Sequence, residues 1–415
     1  MNSMSEAVEI ASESFVPLER STGTFVRDFM RLHTGRDLVV WGAGVLGRCL
    51  MHQLRPYTAS GQMLAFTDSN SRLAGTMIDG QPVLDFDEVM RRASDGNTFL
   101  LLALAGHTRT GMTRLAGAGL TAGVDYESYL KLSRPETVIQ ISGVDGGRVI
   151  HMAADTCRAI LAKLKADIPD LFHVDLSGLG DPLDHPAIDV IVAATRAFVP
   201  CTLTTRLDAG PAVIERALLA APTQFVVAVD SDRDEAFFDR LRLVADLQDR
   251  LAGHTEIRVK YTCFRDNGAG FDALREHCDD LGLKLVETIG YIDPYDTTLR
   301  LCKAGDLDVA EATRLTWSLR DALDLARVDR ARPCLCQRIF PVINPDGSVG
   351  VCHLYAQPRV HNDYLAVDYD TLQNLRHHAA HCRVCQHYAL HRLDVDVLQA
   401  RHAIRLIPTP ETAHA

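Results

Sequence analysis

Asp37-Leu-Val-Val-Trp41-Gly42-Ala-Gly44-Val-Leu-Gly47-Arg-Cys-Leu-Met-His-Gln-Leu54 reads as a strand, a glycine turn and a helix. Four of its first five residues are apolar, the near-continuous pattern of a strand buried on both faces. The glycines then recur as Gly-x-Gly-x-x-Gly, and an apolar helical pattern runs on to Leu54. Outward from this stretch the alternation continues. A second strand is expected at Met63–Asp68, a turn-rich stretch to Pro82, a helix near Asp85–Arg92 and a third strand at Thr98–Ala105.

Together these elements predict a Rossmann-like α/β lobe over residues 36–135. Ahead of it, residues 1–35 read as a mobile arm, to about residue 20, followed by a short helix at Thr24–His33. Because the glycine turn follows a strand and opens a helix, Gly42, Gly44, Gly47 and Asp68 are the expected nucleotide-binding residues. Glycines let a pyrophosphate approach the backbone, the helix N-terminus favours anions, and a carboxylate ending the next strand accepts from ribose hydroxyls. The alternative is that the glycines only make the turn.

The 415 residues suggest two or three domains, and 47% hydrophobic against 23% charged residues is ordinary globular composition. A net charge of −11 supplies no field for nucleic acid or anionic lipid. Apolar runs such as Phe99–Ala105 are strand-sized, so no membrane span is expected. The first 20 residues carry no basic n-region followed by an apolar h-region, so the cytoplasm is the expected location. There, the 11 cysteines should be reduced thiols or metal ligands.

Residues 136–330 show a second alternation. Strands are expected at Val138–Ser142, His173–Ser177, Cys201–Thr205, Gln224–Asp230, Glu256–Thr262 and Lys284–Tyr291, with helices such as Ala153–Lys165 and Ala187–Ala197 between them. Six βα units fit a partial parallel (βα)6 barrel as well as an open sheet. A charged helix is expected at Val309–Val328, and residues 396–415 read as a tail. Asp181, Asp184 and His185 fall on a loop past a strand's C-terminal end, where α/β sites lie. Asp181 and His185 are therefore candidate acid–base residues, with Lys260, Tyr261 and Glu287 as candidate cavity neighbours. The competing reading is a loop that these residues cap and turn.

Cys334, Cys336, Cys352, Cys382 and Cys385 crowd into residues 331–395, whereas the other cysteines are scattered singly. Pro345-Asp346-Gly347 reads as a tight turn between strands at Phe340–Ile343 and Val349–Cys352. Cys382-Arg-Val-Cys385 lets two sulfurs converge on one centre. Such thiols suit a tetrahedral zinc or an iron–sulfur cluster.

The run from Cys336 through Asn344-Pro-Asp-Gly-Ser-Val-Gly-Val-Cys352, then Asp370-Thr-Leu-Gln-Asn-Leu-Arg376 and Cys382-Arg-Val-Cys385, resembles the SPASM or twitch extension of radical S-adenosylmethionine (SAM) enzymes. In that family such cysteines hold an auxiliary 4Fe–4S cluster. The resemblance therefore implies Cys336 or Cys334, Cys352, Cys382 and Cys385 as ligands of one cluster, with zinc as the alternative metal. His173-Val-Asp-Leu-Ser-Gly-Leu-Gly-Asp-Pro-Leu-Asp-His-Pro186 is similar to the family's glycine-rich SAM-binding strand end, and the likeness spans residues 136–392. The family's catalytic Cys-x3-Cys-x2-Cys is missing: its position reads Ile139-Gln-Ile-Ser-Gly-Val-Asp-Gly-Gly-Arg-Val-Ile-His-Met152. Asp181 in place of Glu and Arg206 in place of Asn also count against a SAM site.

The expected molecule is thus a degenerate radical-SAM-like protein with a Rossmann-like lobe, a partial (βα)6 barrel and an iron–sulfur domain. Its expected partners are a small-molecule or peptide substrate and a redox or radical-SAM protein. Thr67-Asp-Ser-Asn70 and Gly75-Thr-Met-Ile-Asp-Gly80-Gln-Pro-Val83 further resemble the small N-terminal lobe of bacterial sugar acyltransferases, which implies a nucleotide-sugar ligand. That likeness supports a second expectation, a non-catalytic nucleotide-binding scaffold. A nicotinamide-dependent oxidoreductase built on the first lobe is a third.

Overall fold

The computed structural model describes residues 22–393 except 105–106, 130–131, 133–134, 146–147, 179, 232, 252–253, 293–294, 308–313, 329, 332–333, 335–341 and 353–358. The expected arm, the tail and Cys336 lie outside the described residues.

The first unit runs α1 (Thr22–Leu32), β1 (Asp37–Trp41), α2 (Val45–Leu54), β2 (Leu64–Thr67), β3 (Met77–Ile78), β4 (Gln81–Leu84), α3 (Phe86–Ser94), β5 (Thr98–Leu102), α4 (Thr108–Gly117) and β6 (Tyr126–Ser128). Its sheet has the order β3-β4-β2-β1-β5-β6, parallel except for the β3–β4 hairpin. Side chains of β1 alternate between two cores. Leu38 and Val40 pack with Leu50 and Leu54 of α2, while Val39 and Trp41 pack with Val89 of α3 and Leu115 of α4. Helices therefore cover both faces, the reason β1 is apolar almost throughout. The chain leaves β1 to one side for β2 and to the other for β5, so the order reverses beside β1. Ligands of doubly wound sheets bind at this switch point, outside the strands' C-terminal ends.

The second unit continues with β7 (Glu136–Val138), β8 (Ser142–Asp145), β9 (Arg148–His151), α5 (Ala154–Asp167), β10 (His173–Asp175), α6 (Ile188–Phe198), β11 (Cys201–Thr205), α7 (Pro211–Leu219), β12 (Gln224–Val229), α8 (Glu235–Gln248), β13 (Glu256–Cys263), α9 (Gly268–Asp280) and β14 (Lys284–Ile289). Six of these strands form an all-parallel sheet in sequential order, β7-β10-β11-β12-β13-β14. Right-handed crossovers of such a singly wound sheet put its helices on one face. That face is apolar, with Val174, Leu203, Phe225, Val227 and Val259 buried in a core with α5 to α8. The strand expected at Val138–Ser142 is displaced: Ile139 N still reaches Asp175 O (2.9 Å), but Gln140 N turns to Ile343 O (2.8 Å). Residues from Ser142 then form the antiparallel β8–β9 hairpin.

The C-terminal part holds α10 (Tyr295–Ala304), α11 (Leu319–Val328), β15 (Val349–Gly350), β16 (Arg359–His361), α12 (Tyr369–His377) and α13 (Ala380–His387). The expected long helix at Val309–Val328 is cut short among the described residues. Ser318 Oγ accepts from Asp321 N (3.2 Å) and starts α11, while the buried Trp317 donates its indole N–H to Gly290 O (2.8 Å). The expected turn is present: Gly347 has φ +81°, and Asp346 Oδ1 accepts from Ser348 N (3.0 Å). Ile343 bridges to Ile139, which carries this segment onto the edge of the second sheet. Tyr364, fully buried, donates to Asp167 Oδ2 of α5 (2.8 Å).

A carboxylate of the first unit, Asp79, ties the two units together. Asp79 sits at φ +49° in the Asp79-Gly80 hairpin loop, a conformation this residue pair favours. It accepts from Arg48 Nε (2.8 Å) and Nη2 (3.0 Å) of α2 and from Arg196 Nη2 (2.5 Å) of α6. Arg48 is 4% exposed and also donates to His254 O (2.6 Å) and Thr223 O (3.3 Å) of the second unit. No helix among the described residues is long and apolar enough to cross a membrane.

Candidate functional site

A cavity of about 760 Å³ opens at the switch point of the first sheet. It is lined by the glycine turn, Asp68, Arg114 of α4 and, from the second unit, Thr255, Glu256, Arg258 and Lys284. The three glycines do different work. Gly42 has φ +114°, and a Cβ there would stand 2.7 Å from Ala103 O. A Cβ on Gly47 would stand 1.8 Å from Gly42 O, so its absence lets α2 pack on the turn. Among the described residues, a Cβ on Gly44 would meet only Glu256 Oε2, at 3.4 Å. Gly44 thus keeps the space above the helix N-terminus open, where a phosphate is received in folds of this kind.

Asp68 turns back onto the loop it was expected to complement. Its Oδ2 accepts from Ala43 N (2.8 Å) and its Oδ1 from Asn70 N (2.9 Å). The carboxylate therefore shapes the glycine turn while also lining the cavity. Sequence reading missed the wall from the second unit, because Glu256 and Lys284 lie more than 200 residues from the glycines. Only the packing of the two sheets brings them together.

The other face of the second sheet is polar. His173, Asp175, Thr202, Gln224, Glu256, Arg258 and Lys260 alternate onto it by strand register. His173 Nε2 meets Thr202 Oγ1 (2.9 Å), and Thr202 Oγ1 reaches Gln224 Oε1 (3.4 Å). Burial lowers the His173 pKa to about 4, so its ring is neutral at pH 7. Burial raises the Asp175 pKa, against which a Ser177 hydrogen bond and the Lys260 charge act.

Asp181 and His185 have structural partners. Asp181 accepts from Leu183 N (2.9 Å), Arg206 N (2.7 Å) and Thr205 Oγ1 (2.8 Å), tying the ends of β10 and β11. His185, 3% exposed, faces Met152 O through Nε2 (2.7 Å) and accepts from Ala187 N at Nδ1 (3.0 Å). Those partners fix the Nε2–H tautomer and use both ring nitrogens, which argues for loop support over proton transfer. Of the expected cavity neighbours, Lys260 reaches the polar face, whereas Tyr261 is fully buried and Glu287 pairs in register beside it. The β8–β9 hairpin fills the position where a catalytic cysteine triad was sought, and Ser142 Oγ there meets His151 Nδ1 (3.0 Å).

The clustered thiols converge from separate segments. Cys382 and Cys385 stand three residues apart on α13, and that spacing puts them on one face. Cys385 is buried in a core against which Cys352 packs. Arg376 of α12 is 4% exposed, donates Nε to Val351 O (3.2 Å), and interacts electrostatically with Cys352, Cys382 and Cys334. Burial raises the Cys382 pKa to about 11, with Cys334 adding to the rise and Arg376 opposing it. No group of three or more His, Cys, Asp or Glu with metal-holding geometry occurs among the described residues. The singly scattered Cys157 and Cys201 are core thiols pushed up to about 12 by burial.

No protein-family model matches the chain, and no curated protein matches it. Among solved structures, SuiB of Streptococcus suis is similar at 12% identity and TM-score 0.38, over 67% of this chain and 76% of that one. SuiB bound to S-adenosylmethionine is similar at 15% identity and TM-score 0.38, over 68% and 74%. Archaeal TYW1 follows at 17% identity and TM-score 0.25, over 39% and 65%. With TM-scores this low, the α/β assignment rests on the two parallel sheets themselves.

Proposed function

We propose that this chain is an iron–sulfur protein of a biosynthetic or modification pathway, built on a radical-SAM-like plan. Its second sheet would be the wall of a partial barrel whose polar face meets a small-molecule or peptide substrate. Cys352, Cys382, Cys385 and one of Cys334 and Cys336 would hold one 4Fe–4S cluster of the auxiliary type. The observation that carries this reading is that Cys352 packs against the core that buries Cys385, which shares one face of α13 with Cys382. The Arg376 charge opposes the rise that burial imposes on the Cys382 pKa, and thiolates are the form that ligates iron or zinc. Such a cluster, when bound, supplies one-electron transfer. Arg376 would hold the Val351 carbonyl, and with it the chain beside Cys352, in place.

Because residues 139–152 contain no cysteine, the chain would act without SAM radical chemistry of its own, or with a partner's cluster. Protein purified without oxygen should be coloured, and dithionite should bleach it; given SAM and dithionite, it should form no 5′-deoxyadenosine. A colourless protein overturns the cluster. Catalytic 5′-deoxyadenosine formation by the protein alone overturns the assignment of its chemistry.

The cavity favours a second reading that is compatible with the first. The Rossmann-like lobe would bind a nucleotide or nucleotide-sugar, because glycine turn, helix N-terminus and basic side chains meet in one space at the switch point.

A further inference from the structure

Glu256 occupies the space that Gly44 leaves open. Its Oε2 accepts from Val45 N at the start of α2 (3.2 Å) and, among the described residues, is the one atom a Cβ on Gly44 would touch. Its Oε1 is held by Arg258 Nε and lies 3.9 Å from Lys284 Nζ. A carboxylate from the second sheet therefore sits where a phosphate would be received, between a helix N-terminus and two cations. Thr255, next to it, lines the same cavity. It is 8% exposed, and its buried hydroxyl has no hydrogen-bond partner among the described residues. A buried hydroxyl without a partner costs stability, which a ligand oxygen would recover.

We infer that Glu256 is a resident anion that the phosphate of a nucleoside diphosphate displaces on entering this cavity. This rests on the nucleotide-binding reading above. The incoming phosphate takes Val45 N–H, Arg258 and Lys284 from Glu256, and a ligand oxygen takes the Thr255 hydroxyl. Two like charges cannot share that space, so the Glu256 side chain must leave it. Glu256 also begins β13, on the polar face that carries Lys260. Occupancy of the first unit is thereby communicated to the second.

The test is calorimetric titration of ADP and UDP, with adenosine and uridine as phosphate-free probes, into wild type, Glu256→Gln and Glu256→Asp in phosphate-free buffer. Glu256→Gln should bind at least one diphosphate about tenfold more tightly than wild type, while nucleoside binding changes less than about twofold. Glu256→Asp keeps the charge but draws it back from Val45, and should fall between them. Equal or weaker diphosphate binding by Glu256→Gln, in a protein whose melting temperature is within a few degrees of wild type, overturns the displacement but leaves the nucleotide site standing. Should Glu256→Gln unfold, Glu256→Asp decides alone, and no gain there overturns the displacement. Absence of binding by every protein overturns the nucleotide-binding reading and this inference with it.

Discussion

Replacing Asp79 with alanine should lower the unfolding free energy by about 3–5 kcal/mol, the cost of removing one partner from a buried ion pair. Arg48 is 4% exposed and would keep its charge without the carboxylate that receives two of its N–H groups. Arg196 would lose the same partner, and with it the contact that joins α6 to the β3–β4 hairpin. Burial works against the charge of Asp79, but the Arg48 hydrogen bond and the charges of Arg48 and Arg196 outweigh it and hold the pKa below the ordinary carboxylate value. The folded pKa is thus the lower of the two. The stabilisation is complete above the unfolded-state value of about 3.9 and is lost as pH falls through the folded value. Urea unfolding should show the full gap at pH 7 and a gap that narrows as pH falls below the unfolded-state value of about 3.9. A gap under about 1 kcal/mol at pH 7 would mean that the latch is an ordinary surface pair.

Gly47→Ala should cost about 3 kcal/mol, whereas Gly44→Ala should cost less than about 1 kcal/mol. A methyl group on Gly47 would lie 1.8 Å from Gly42 O, so α2 must lift off the turn that closes it. Gly44 has φ −72°, which any residue adopts, and its nearest obstacle is the movable Glu256 carboxylate. Urea midpoints of the two variants measure the difference. Equal losses would contradict the division of labour among the glycines.

In the first unit the strands β1, β2 and β5 and the helices α1 to α3 were legible in the sequence, whereas β3, β4, α4 and β6 were not. Asp37–Trp41 is a strand with the expected bounds, and Asp85 caps the helix expected there by accepting from Asp87 N and Glu88 N. These elements are decided by local hydrophobic periodicity and by caps, which a sequence carries openly. Cys201–Thr205 likewise has its expected bounds in the second sheet. The displaced first strand was not legible. Gln140 leaves β10 for Ile343, a partner some 200 residues away, and no local pattern encodes that choice. The same limit hid the far wall of the cavity. Glycine spacing announces a phosphate-sized turn, but only tertiary packing sets Glu256 above it. Asp181 and His185 were legible as a polar loop, while their commitment to backbone groups depends on Arg206, Met152 and Ala187 being brought to them. The Cys-x-x-Cys spacing was legible, and the structure places Cys382 and Cys385 on one helix.

The central claim, that the clustered thiols hold an iron–sulfur centre, is tested most directly by counting iron, acid-labile sulfide and zinc per chain. Wild type and the double variant Cys382→Ala/Cys385→Ala should be purified together without oxygen. About four irons and four sulfides in wild type, absent from the variant, are the expected result. One zinc with no iron, or no metal in either protein, would contradict it.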